Sequence, residues 1–236
     1  MNIGIFAYNF EHQKTQEGIQ NLCLAGYKPS VIFAADKVKL NFYRSKIRIT
    51  PKDVFLHHPS KLASYYGIDY VVTKHNSNET DRIVKEKQLD VGIILGARIL
   101  KPIAFRSFKI GVINMHPGLL PENRGLDTIK WAINDNIPQG VTTHLIDSKI
   151  DRGLMIDKKQ ISVYSDDSLL DIFVRLQNLE QNMMVDALKT LQNQSTELMP
   201  LPIGKYHSSI PEHLEVNLIK KFETYKKEYS NARDST

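Results

Sequence analysis

The sequence predicts an α/β protein, a doubly wound and mostly parallel sheet with a short C-terminal helical extension. Three observations predict it. Short apolar runs alternate with helical patterns through the first half of the chain, as in a sheet covered by helices on both faces. The stretch DVGIILGAR, residues 90–98, is apolar on both faces, as a strand inside a parallel sheet must be. The chain has 236 residues, which suits one large domain, or one domain with a substantial extension.

The elements follow in order. Residues 2–7 read as a first strand and 15–25 as an amphipathic helix ending near Gly26. Residues 30–34 are a second strand, and the less regular 37–55 is expected to run over the surface. A helix over 59–66, a short strand over 70–73 and a helix over 78–88 capped by Asn78 come next. Residues 90–98 and 108–115 are buried strands. After a helix at 126–133, residues 140–147 and 154–163 read as two strands paired antiparallel. A long helix covers 167–191, with Ser165 or Asp166 as its cap. Residues 192–204 look like a loop, 211–229 like a charged helix, and the closing SNARDST like a frayed end. A core of residues 1–194 and an extension of 195–236 are expected, with no internal repeat.

Apolar residues make up 42% of the chain and charged residues 24%, ordinary for a globular protein. No run reaches the roughly 18 apolar residues that a membrane span requires. The opening MNIGIFAYNF lacks a basic flank followed by a long apolar core, so it reads as a strand and not as a signal peptide. Cys23 is the single cysteine, which excludes an intrachain disulfide and a cysteine-based zinc site. These features predict a cytoplasmic protein with no membrane partner. The net charge of +5 suits an anionic substrate. No dense Lys/Arg stripe with interleaved aromatics appears, so no nucleic-acid partner is expected.

INMHPGLLPENRGLDTIKWAI, residues 113–133, sets Asn114 and His116 two apart. Positions i and i+2 of a strand share one face, and sites in such sheets sit at the carboxyl ends of the strands. Taken alone, the pair reads most simply as polar groups satisfying the loop that follows. His144 on VTTHLID and Asp151 in KIDRG alter that reading. Asp151 sits in a loop before Gly153, from which a carboxylate reaches back toward a neighbouring strand end. Three chemistries fit such a cluster. His116, His144 and Asp151 are zinc-ligand types, but no HxH or HExxH spacing supports them. A hydrolytic triad needs a Ser or Cys nucleophile, and none stands in a nucleophile-elbow context. In acyl transfer the substrate amine is itself the nucleophile. Asn114 and His116 then offer donors to the developing oxyanion, and Asp151 tunes or orients His116. An imidazole, with its ordinary pKa of about 6.5, suits the proton transfer.

NMHPGLLPENRG resembles the core motif of the folate-dependent formyltransferases, Asn-x-His-Pro-Ser/Gly-Leu-Leu-Pro. DVGIILGARILKP is similar to the family's strand and loop that cradle the pterin of 10-formyltetrahydrofolate. GVTTHLIDSKIDRGLMI is similar to the segment with the accessory His and the catalytic Asp. The resemblance covers residues 90–161 well and 1–88 weakly. It implies Asn114, His116 and Asp151 as the catalytic triad and His144 as the supporting histidine. Asp147 is the rival aspartate, but only Asp151 stands before the x-Gly of the motif, so Asp147 is assigned to the cofactor side. Gly96 and Ala97 join it there, as do the backbone groups of Arg98, Ile99 and Leu100. A strand ending at Gly96 lets the backbone approach a flat ring closely.

Departures from the family's branches narrow the acceptor. The purine-synthesis branch has a glycine-rich phosphate turn after its first strand, where this chain reads AYNFEHQKTQEG, with no glycine between Gly4 and Gly18. The initiator-tRNA branch carries a further β-barrel domain for which 236 residues leave no room, and the formyl-folate hydrolase branch carries an N-terminal regulatory domain. What remains resembles the bacterial nucleotide-sugar N-formyltransferases. That implies formyl transfer from 10-formyltetrahydrofolate to the amine of a dTDP-linked amino-dideoxysugar, for O-antigen or another cell-surface polysaccharide. It implies no metal and is compatible with a homodimer. Arg124 is expected to meet the diphosphate or shape the loop, and Asp127 to cap the next helix or bind a sugar hydroxyl, capping first. Lys130 and Trp131 are expected to pack their helix, and Tyr206 and His207 to lie in a surface loop or close over the acceptor. Two alternatives stand beside this reading: a glycinamide ribonucleotide transformylase, and a non-catalytic folate or nucleotide binder on the same fold.

Overall fold

Apolar residues on both faces of a short extended run make the strands, and apolar stripes at helical spacing make the helices that cover them. The computed structural model describes residues 1–39, 45–193 and 197–231. In it IGIFAY forms β1 (Ile3–Tyr8). The helix α1 (Gln13–Leu24) turns Thr15, Gly18, Ile19 and Leu22 inward. Then come β2 (Val31–Ala35), α2 (Pro59–Tyr66), β3 (Asp69–Val72), α3 (Asn78–Glu86), β4 (Val91–Ile94), α4 (Pro102–Phe105) and β5 (Gly111–His116). The second half holds β6 (Arg124–Gly125), α5 (Thr128–Asp135), β7 (Gly140–Ile146), β8 (Gly153–Gln160) and the long α6 (Leu169–Gln192). It closes with β9 (Met199–Pro200), β10 (Tyr206–His207), α7 (Glu212–Glu215) and α8 (Leu218–Asn231).

One sheet runs β3-β2-β1-β4-β5-β7-β8-β9, and β6 and β10 form a separate parallel pair. Neighbours are parallel from β3 to β5 and antiparallel from β5 to β9. Strand order reverses between β1 and β4, so a crevice opens beyond the carboxyl ends of these strands. The larger core cluster joins one sheet face to α1, α2, α5, α6 and α8, and the smaller joins the other face to α3 and α4 around Phe6, Phe33 and Phe108. The doubly wound, mostly parallel sheet expected from the sequence is therefore the fold.

Several local expectations are corrected. The cap of α3 is Ser77, whose hydroxyl accepts from the Thr80 amide at 3.2 Å, and not Asn78. The cap of α6 is Ser168, in a reciprocal capping box with Asp171, and not Ser165 or Asp166; an apolar start at Leu169 made the preceding acidic run look closer to the helix than it is. Residues 108–110 do not belong to β5. Phe108 closes a turn onto the Phe105 carbonyl and sends its ring into the core. The charged helix over 211–229 divides into α7 and α8, and the loop over 192–204 contains β9, which pairs with β8. Part of the surface segment 37–55, the expected boundary at 194/195 and the end of SNARDST lie outside the described residues.

The tail is packed against the core. Phe222 and Tyr225 of α8 are buried, each such side chain contributing about 1.5–3 kcal/mol. The Tyr225 hydroxyl donates to the Ile137 carbonyl at 2.9 Å. Lys130 of α5 and Glu215 of α7 form an ion pair at 2.6 Å with both side chains almost fully buried.

Candidate active site

The end of β5 is held against β7, with Asn114 opposite His144 and His116 opposite Thr142. His144 is fully buried. Burial, and next the nearby His116, push its pKa down to about 4, so the ring is neutral near pH 7. Its Nδ1 lies 3.0 Å from the Arg152 carbonyl, which can only accept, so Nδ1 carries the proton. Nε2 is then a bare acceptor for the Asn114 side-chain amide at 3.3 Å. One N–H of Asn114 is fixed in this way and the other is left for a ligand.

His116 is buried at the mouth of the loop that follows β5. Its Nε2–H donates to the Asn123 carbonyl at 2.8 Å, and its Nδ1 faces Asp151 Oδ1 at 3.5 Å. The loop is pinned by Thr142, whose hydroxyl donates to Gly118 and accepts from the Leu120 amide. Asn123 is buried as well and donates to the Thr128 carbonyl. Asp151 itself has a positive φ of 45°, and its second oxygen accepts from the Gly125 amide at 2.9 Å. Gly153 explains the Asp-x-Gly spacing. Its φ is +120°, and a Cβ there would collide with the Leu145 carbonyl, so only glycine lets the chain return into β8 after presenting Asp151.

Three of these four side chains meet at a cleft of about 560 Å³. Asn114, His116 and Asp151 line it, together with Ala97, Arg98, Ile99, Leu100 and Asp147. His144 stands behind the lining and acts on Asn114. Gly96 is also behind it: a Cβ there would meet the Tyr8 ring at 2.8 Å, so the flat ring that this glycine admits is Tyr8. Asp147 is turned to its own loop, accepting from the Lys149 amide at 2.7 Å and pairing with Arg152 at 3.1 Å. The zinc-ligand alternative finds no converging geometry, because both nitrogens of His144 and Nε2 of His116 are already engaged.

Arg124 shapes the loop. It donates to the Ile150 carbonyl at 2.8 Å and the Gly204 carbonyl at 3.2 Å, with its guanidinium 5.8 Å from the centre of the Tyr206 ring. Asp127 occupies the N-cap position of α5 but makes no capping bond. Its carboxylate accepts from the Ile210 amide at 3.0 Å, tying the 204–210 segment down. Trp131 donates to the Ser208 carbonyl and stacks on His207, ring centres 4.4 Å apart. Tyr206 consequently lines the cleft. Lys14 lines it too, though one lysine on an amphipathic helix carries no local signal in the sequence.

The cleft is partly apolar and of a size for a small molecule. It lies within the roughly 300–1,000 Å³ of small-molecule sites, with Ile94, Ile99, Leu100 and Ile146 on its walls.

A family model described as "Formyl transferase" matches residues 44–188, more than half of the chain. A methionyl-tRNA formyltransferase of Flavobacterium johnsoniae is 34% identical over 111 residues, 47% of this chain and 35% of that relative. The chain thus matches little more than a third of such a curated relative. Among solved structures, the N-formyltransferase of Helicobacter canadensis in complex with folinic acid and dTDP-3-aminofucose superposes with a TM-score of 0.64 at 20% identity, covering 94% of this chain and 80% of that one. Phosphoribosylglycinamide formyltransferase of Bacillus halodurans gives 0.63 at 22%, covering 83% and 97%. At these identities the two structures share the fold.

Proposed function

The chain belongs to the formyl transferase family, and on that premise we propose that it transfers a formyl group from 10-formyltetrahydrofolate to the amine of a nucleotide-linked amino sugar. The observation that carries the reading is the meeting of Asn114, His116 and Asp151 in one cleft with the 97–100 loop. Ala97, Arg98, Ile99 and Leu100 would hold the folate, with Asp147 ordering the facing loop. Bound there, the folate supplies an activated formyl group. Asn114 directs its free N–H at the oxygen that gains charge as the amine adds. Nδ1 of His116, the ring nitrogen beside Asp151, would take the proton from the attacking nitrogen, which must lie about 3 Å from it, and return it to the folate nitrogen as the bond from that nitrogen to the formyl carbon breaks, so that tetrahydrofolate leaves and the amine keeps the formyl group. No step calls for a metal.

The acceptor class is inferred from the start of α1. A phosphate monoester at a helix start is held by several converging backbone N–H groups, and AYNFEHQKTQEG places no glycine there to arrange them. Instead Gln16, one turn into α1, accepts from the His57 amide at 2.7 Å. The similarity to methionyl-tRNA formyltransferases favours a second reading, in which the amine belongs to an aminoacyl-tRNA. Purified protein with 10-formyltetrahydrofolate, assayed in EDTA against dTDP-linked 3-amino and 4-amino dideoxysugars, glycinamide ribonucleotide and methionyl-tRNA, decides among them. The sugar nucleotide is expected to give the highest kcat/KM. A higher value for either other acceptor overturns the sugar assignment, and dependence on added zinc overturns the metal-free mechanism.

A further inference from the structure

β5 loses a neighbour where the site begins. Its pairing with β4 ends at Ile93 opposite Ile113, while its pairing with β7 continues through Asn114, Met115 and His116. Asn114 and His116 therefore sit on a strand end with β7 on one side only. The Met115 carbonyl, between them, is met by Lys14 of α1, whose Nζ donates to it at 3.0 Å. The same ammonium is bound to Glu180 Oε1 of α6 at 2.6 Å. The pair is secluded, with the Lys14 side chain 22% exposed and that of Glu180 7%.

One strand carbonyl needs only a neutral donor or a water. An ion pair removed from water is a costly substitute, because desolvation of two charges offsets much of their attraction. This pair ties α1 and α6 to β5 at the point that β4 has left open, and Lys14 reaches the cleft beside Met115 and His116.

We propose that Lys14 is a positioning residue: by holding the Met115 peptide it fixes the spacing and tilt of the Asn114 amide and the His116 ring, and Glu180 holds Lys14 in place. A shift of that peptide carries both side chains with it, and displacement by about 1 Å costs on the order of a hundredfold in rate. The kinetic part of this rests on the formyl-transfer reading; the positional part does not.

Lys14→Met keeps the stem and removes the donors, and Lys14→Arg restores charge and donors. In Lys14→Met the side-chain NMR resonances of Asn114 and His116 are expected to shift, those of His75 to stay, and 5-formyltetrahydrofolate to bind as before. Turnover falls about a hundredfold with acceptor KM little changed, and Lys14→Arg recovers most of it. Unshifted Asn114 and His116 resonances, or turnover close to wild type, overturn the proposal. If Lys14→Met fails to fold, Glu180→Gln, which leaves Lys14 an acceptor without the charge, is read in the same two ways. If the wild type formylates no acceptor, the reaction reading has failed, and the resonances alone decide the role of Lys14.

Discussion

The Asn114 amide donates to Nε2 of His144 at 3.3 Å, and His144 can accept because its own Nδ1 proton is committed to the Arg152 carbonyl at 3.0 Å. A fully buried neutral imidazole thus sets which way an amide faces in the cleft. Removing the amide should remove the donor it aims. Asn114→Ala and His116→Ala are each expected to lower turnover by about a hundredfold or more. His144→Phe should have a smaller effect, since Asn114 stays but turns freely. Binding of 5-formyltetrahydrofolate, measured by titration calorimetry, should survive in all three. Near-normal turnover in either alanine variant removes the assigned role.

Acid should loosen this protein through its buried histidines. Burial drives His12 and His144 each down to about 4, and lowers His75 as well. The unfolded chain binds a proton at each near pH 6.5 and the folded chain does not until lower pH. Stability therefore falls as pH drops from about 6.5 toward 4. Urea midpoints across that range should decline, and His144→Gln should flatten the decline. A midpoint that stays constant down to pH 4.5 contradicts these environments.

Gly153 is expected to tolerate no side chain. Its φ of +120° is one that alanine rarely adopts, and the added Cβ would strike the Leu145 carbonyl. Gly153→Ala should cost about 1–3 kcal/mol in strain and reduce turnover beyond that loss, because Asp151 lies two residues upstream. Thermal midpoints and rates measured on the same preparation test this. Unaltered turnover in a folded variant would show that Asp151 is held by Gly125 alone.

The sheet and most of its helices were legible because strand burial and helical periodicity are local patterns. That Asn114, His116, His144 and Asp151 come close together is legible because three motifs lie in a fixed order. The missing parts depend on contacts across the chain. Lys14 reaches Met115 over a hundred positions, and Asp127 leaves the helix it was expected to cap for an amide at Ile210. Gly96 suits the close approach of a flat ring, and the ring beside it is that of Tyr8. Tyr206 reaches the cleft through the pairing of β10 with β6, a two-residue contact with no sequence period to announce it.

The tail provides the last prediction. Lys130 does more than pack its helix: its ammonium is buried against Glu215 of α7 at 2.6 Å and also meets Ser45. Breaking a buried ion pair from one side leaves an uncompensated charge and typically costs about 3–5 kcal/mol. Lys130→Met should impose a loss of that size, and so should Glu215→Gln, if less severely because an amide still accepts from Lys130. The double variant Lys130→Met with Glu215→Leu strands no charge and should recover much of the stability. Chemical denaturation of these variants and of Glu215→Leu alone measures the coupling. Additive losses in the double variant would mean that the two residues act independently and that α7 is held to α5 by other contacts.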